Sequence, residues 1–156
     1  MRYLILFFAL LVFNSCDYFS FKRKNDFKEI NPELDTTSVD LPPSLGRCNS
    51  LIDKEQKTIC FYKEVSIAFE KSLAEQDIKV KQSLDETVYV IIRIDAKGAV
   101  SLRSIEASET LYAEIPDFKK MIEKAIDDLP KVVAAVKKEV PVTTEYKLPI
   151  KIALKN

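Results

Sequence analysis

The chain has 156 residues, with 24 basic and 24 acidic side chains and a formal net charge of zero. That balance offers no basic footprint for nucleic acid and no strong pull toward anionic lipid. The lack of histidine removes Ser–His and Cys–His catalysis and the commonest zinc ligand, and two glycines, Gly46 and Gly98, cannot build a phosphate-cradling loop.

From the N-terminus, Arg2 precedes an apolar run from Tyr3 to Phe13. The run is too short to span a bilayer, which takes about 20 residues of helix. One basic residue ahead of a short apolar core is the shape of a secretory signal. Ser15 directly before Cys16 is similar to the end of a bacterial lipoprotein signal, which implies removal of residues 1–15 and a lipid on the Cys16 sulfur. An ordinary signal peptide or short anchor with an incidental cysteine is the other reading. Residues 16–45 lack sustained periodicity and include Asn31-Pro32, Asp35-Thr36-Thr37-Ser38 and Pro42-Pro43, the composition of a flexible linker. As a coil its reach is about 30 Å. One folded unit is then expected over residues 46–156.

With Cys16 assigned to the lipid, Cys48 and Cys60 remain as an even pair. Their spacing matches neither a Cys-x-x-Cys redox motif nor a zinc site without further ligands. In an exported domain a disulfide is expected, worth about 3 kcal/mol for so short a loop; two free thiols, one packed in the core, is the alternative. Asp53 with Gln56 reads as a capping box opening a helix, and Ile59, Tyr62, Val65, Phe69 and Leu73 form its apolar stripe.

Val88, Val90, Ile92 and Ile94 recur at period two, interleaved with Tyr89, Ile91 and Arg93, which predicts a half-buried strand. Asp95-Ala96-Lys97-Gly98 supplies a hairpin turn in which Gly98 takes a positive φ. A second strand runs through Val100, Leu102 and Ile105. Asp117 is placed to cap a second helix whose buried face is Phe118, Met121, Ile122, Ala125, Ile126 and Leu129, ended by Pro130. In the last strand Tyr146, Leu148, Ile150, Ile152 and Leu154 face the core, while Lys147, Pro149, Lys151 and Ala153 face out. Proline cannot donate to a ladder, so this strand belongs at a sheet edge. The predicted fold is α+β and two-layered: a three-stranded antiparallel sheet with two helices packed on one face.

An edge strand can accept an extended peptide by β-strand addition, and the residues set out for that role are Tyr146, Lys147, Leu148, Ile150, Lys151 and Ile152. The lysines would bias the edge toward acidic neighbours. Lysines and proline on an edge are also a protection against unwanted pairing. Carboxylates such as Asp127, Asp128, Glu106 and Glu109 are plentiful, yet nothing in the pattern converges them on a pocket. No catalytic residue, metal site or cofactor is therefore expected.

Taken together, VYVIIRIDAKGAV, AIDDLPKVVAAVKKEVPV and EYKLPIKIAL resemble the TonB C-terminal domain family. Leu129-Pro130-Lys131, Ala135, Pro141-Val142 and Leu148-Pro149-Ile150 fall where that family places its motifs, and CNSLIDKEQKTICFYKEV is similar to the cysteine-containing first helix of one branch. The pattern departs at Val132, Ala134 and Glu139, where an aromatic, a proline and a glycine are usual. The resemblance implies a binding head, linked to TonB-dependent transport, that meets an outer-membrane receptor or other envelope protein at the last strand. The implied setting is the envelope of a Gram-negative bacterium. There the chain would face the periplasm on a lipid anchor, in the outer membrane rather than the inner. A structural or accessory envelope lipoprotein is the alternative, and pairing of two copies through this edge is a third use of the same strand.

Overall fold

The computed structural model describes residues 39–76 and 78–155. The signal at residues 1–15, Cys16 and the linker as far as residue 38 lie outside the described residues. In chain order the elements are β1 (Ser44–Leu45), a 3-10 turn (Gly46–Ser50), α1 (Lys54–Ala74), β2 (Leu84–Ile94) and β3 (Val100–Glu106). They continue with α2 (Glu109–Glu114), α3 (Phe118–Asp127), β4 (Val132–Val133), β5 (Ala135–Lys137), β6 (Val140–Val142) and β7 (Thr144–Leu154). The main sheet has the order β3-β2-β7 and is antiparallel throughout. β1 with β4 and β5 with β6 form two small sheets beside it.

The alternation in β2 works as read: Val88, Val90, Ile92 and Ile94 are fully buried. They pack with Tyr146, Leu148, Ile150, Ile152 and Leu154 of β7 against Phe61, Tyr62, Val65, Phe69 and Leu73 of α1 and against Phe118, Ile122, Ala125 and Ile126 of α3. This is the expected α+β arrangement, with helices against a three-stranded antiparallel sheet. Among the described residues no helix is long and apolar enough to cross a membrane.

The helices differ in detail from expectation. Asp53 caps α1 by accepting from the Gln56 N–H at 2.8 Å. Ile59, however, is 52% exposed and Phe61 takes the inward place. At 100° per residue Ile59 lies about 100° from the centre of the buried arc, on its shoulder. Asp117 occupies the cap position of α3 without a side-chain cap bond; its carboxylate accepts from Lys120 Nζ at 2.7 Å instead. Met121 and Leu129 are only partly buried, and Leu129 lies past the end of α3 at Asp127. The short helix α2 was not expected. Ser108 opens it by accepting from the Leu111 N–H at 3.0 Å, and six residues are too few to display a period.

The folded unit also starts earlier than residue 46. Val39, Pro42, Pro43, Ser44 and Leu45 are buried. Leu41 bridges Val136, β1 pairs with β4, and Lys54 Nζ donates to the Val39 carbonyl at 2.6 Å. The partners of this segment lie far along the chain, so its composition alone reads as linker. Cys48 and Cys60 are joined by a disulfide, Cα atoms 5.7 Å apart, which ties the 3-10 turn to α1. Gly98 has φ +84°, and a Cβ there would come within 2.1 Å of the Val132 carbonyl oxygen. It is required both for its conformation and for the close approach of β4.

Candidate functional site

β7 pairs with β2 along all of its length, from Thr144 opposite Ile94 to Leu154 opposite Leu84. Its backbone orientation follows from the hairpin at the other side of β2. The Asp95 N–H donates to the Ala99 carbonyl at 2.9 Å, so Asp95 faces β3, and backbone direction alternates from there along β2. The register shift between β2 and β3 places Arg103 as the extra residue in β3 and leaves the alternation of β2 intact. Odd-numbered residues of β2 therefore turn toward β3, and even-numbered ones toward β7. Pro149 stands opposite Tyr89, in a pair that exchanges no hydrogen bonds, and its missing N–H costs the inner ladder nothing.

The same parity turns the backbones of Glu145, Lys147, Pro149, Lys151 and Ala153 away from β2. No strand among the described residues lies on that side. The result is an eleven-residue edge interrupted once, at Pro149, where the chain can accept a hydrogen bond but not donate one. At its C-terminal end Ala153 borders a shallow apolar notch lined by Leu73, Ile78, Ile115, Phe118, Ile152 and Leu154.

Of the six residues set out for peptide contact, Tyr146, Leu148, Ile150 and Ile152 point into the core. They can fix the strand but cannot touch a partner. Tyr146 is held between two rings, with its centroid 5.2 Å from that of Phe61 and 5.7 Å from that of Tyr62, all edge-on. Burial pushes the Tyr62 phenol up to about 12 and raises Tyr146 as well, so this anchor stays neutral across the physiological range.

Lys147 and Lys151 lie on the open face of the sheet, and each has a carboxylate of its own chain. Lys147 Nζ is 2.7 Å from Glu106 Oε2 and 4.5 Å from the centre of the Tyr89 ring. Lys151 pairs with Asp85. Arg103 Nε lies 3.8 Å from Glu145 Oε1. These exposed pairs are worth little individually, but they compensate the lysines and weaken the acidic preference expected of the edge. Tyr89, Asp85, Glu106 and Arg103 were missed as site residues because they join β7 only through the register of the sheet. Among the described residues no group of three His, Cys, Asp or Glu side chains gathers as a metal site would.

No protein-family model, curated protein or solved structure matches this chain. The resemblance to the TonB C-terminal domain family thus rests on the motif residues quoted above.

Proposed function

We propose that this chain is a non-enzymatic, lipid-anchored envelope protein. Its C-terminal domain binds an extended segment of an outer-membrane TonB-dependent receptor, or of another envelope protein, by adding it as a strand beside β7. One observation carries the reading: β7 is long, regular and fully paired on one side, with outward-turned backbone and no described strand on the other. The domain supplies the backbone ladder, and the buried alternate residues hold the strand straight while a partner docks. The lipid on Cys16 and the disulfide-tied turn would present that edge to the periplasm.

A second reading has an observation of its own. Pro149 breaks the edge and both lysines are engaged by Asp85 and Glu106, which is how a protected edge is built. On that reading the chain is a structural or accessory envelope lipoprotein. The test is an NMR titration of the labelled full chain with N-terminal peptides from the organism's outer-membrane receptors. Saturating shifts confined to 144–154 and the facing residues of β2 support strand addition. A flat titration on a folded domain sinks it and leaves the accessory protein.

A further inference from the structure

The β5–β6 ribbon carries an apolar row that the core does not use. Leu41 bridges Val136, and Val136 stands opposite Pro141. Opposed residues of an antiparallel pair share a face, so the three side chains lie side by side. The next pair, Ala135 with Val142, faces the other way, and Ala135 is fully buried. The row is therefore turned away from the domain: Leu41 is 42% exposed, Pro141 is exposed and Val136 is half-buried. Around it the exposed charges balance, Lys137 and Lys138 against Asp40 and Glu139. A partner would meet this row through apolar area and not through net charge.

The place where the chain enters the domain decides what lies nearby. Val39 begins the described residues and stands two positions before Leu41. The segment is clamped there. The Asp40 and Leu41 N–H groups donate to the Val136 carbonyl at 2.9 and 3.1 Å, and the Val136 N–H donates to the Leu41 carbonyl at 2.9 Å. The Lys138 N–H donates to the Asp40 carboxylate at 2.6 Å. A lipid on Cys16 would thus hold this ribbon at the end of residues 16–38, a span of about 25 Å if read as a coil. At that distance the bilayer is present at an effective concentration in the millimolar range. A contact too weak to bind a free protein is then populated, and a few aliphatic side chains flanked by lysine stems supply one.

We propose that the row of Leu41, Val136 and Pro141 is a seat on the membrane that carries the anchor, its aliphatic side chains entering the headgroup layer of the bilayer. The seat rests on the lipid-anchor part of the reading above and goes beyond it by giving the anchored domain one orientation. β7 starts at Thr144, two residues after β6 ends at Val142, so its first residues lie beside the seat. Leu154 is the part of the edge farthest from it, about 35 Å along an eleven-residue strand. Seating and strand addition use different surfaces, so one domain can do both at once.

The test uses the chain purified from bacterial membranes with methyl-labelled leucine and valine. It is placed in phosphatidylethanolamine–phosphatidylglycerol nanodiscs that hold a gadolinium-chelating lipid, and mass spectrometry of the Cys16 peptide reads the anchor independently. With the lipid present, the Leu41 and Val136 methyls should relax several times faster than those of Leu84 and Leu154, which pair at the opposite end of the sheet. Pro141→Glu should lower the seated fraction by on the order of tenfold, and Leu41→Gln by less; melting curves report the fold of each variant separately. Relaxation equal at the two ends of a lipidated chain, fastest at Leu84 and Leu154, or unmoved by Pro141→Glu overturns the seat and leaves the anchor standing. A Cys16 peptide without lipid overturns the anchor reading and the seat with it. Neither result bears on strand addition at β7, which the peptide titration reads by itself.

Discussion

At one edge of the central sheet β3 runs for seven residues, carries the extra residue Arg103 and buries none of its side chains fully; at the other, β7 runs for eleven in unbroken register and buries five. A bulge and a short span are two of the ways in which proteins discourage further pairing. β3 has both. β7 has neither, and relies on one proline and on lysines already held by carboxylates. The contrast teaches that, among the described residues, only one edge of this sheet is both straight and regular, and that it is held so by how deeply its other side is anchored.

The anchoring can be broken directly. Leu148→Ala on β7 should cost about 3 kcal/mol, the transfer and cavity terms of a fully buried leucine. The half-buried Ile105 on β3 should cost about 1 kcal/mol when cut to alanine. Urea unfolding of the two variants compares the edges, and equal losses would contradict the asymmetry. Next in size is Gly98→Ala in the turn that leads into β3. A positive φ and a backbone oxygen 2.1 Å from the new Cβ predict a loss of about 2 kcal/mol from left-handed strain and displacement of β4, read as a fall in the denaturation midpoint.

Two turns sharpen the picture on a smaller scale. Between β5 and β6, Lys138 and Glu139 have φ of 50° and 64°, conformations that favour glycine. Glu139→Gly should raise stability by about 0.5–1 kcal/mol, visible as a higher melting temperature. Glu139 is also the position where the TonB-like pattern departs from glycine, so the departure carries a conformational cost that the fold absorbs.

The smallest effect belongs to acid. Asp95 accepts from the Ala99 and Lys97 N–H groups, each at 2.8 Å. These bonds, that of Ala99 first, lower its pKa from the ordinary value. A depressed carboxylate stabilises the fold above its unfolded pKa of about 3.9 and loses that contribution as pH falls through the folded value. Asp95→Asn should flatten the acid side of the stability profile by slightly lowering stability at neutral pH while leaving the acid end little changed, read from urea midpoints measured across pH.

The alternation of β2 and β7, the turn at Gly98 and the cap at Asp53 were all legible in the sequence, because each is decided within a few residues. Ile59 was misplaced because it lies on the shoulder of an arc whose limits depend on what packs there. Residues 39–45 were read as linker because their pairing with Val136 and Val133 spans most of the domain. At the candidate site, Pro149 marked β7 as an edge in advance. The partners of Lys147 and Lys151 stayed hidden, since nothing local assigns Glu106 or Asp85 to them.

By itself the sequence determined which side chains of each strand face inward and that the closing strand lies at an edge, since strand periodicity and the missing proline N–H are properties of the local backbone. Only the tertiary structure decided that β2 is the central strand, that β3 is bulged while β7 is not, and which backbone groups of β7 turn outward. Those outcomes depend on register between segments tens of residues apart. Register is chosen by the packing of the whole core, not by any one segment.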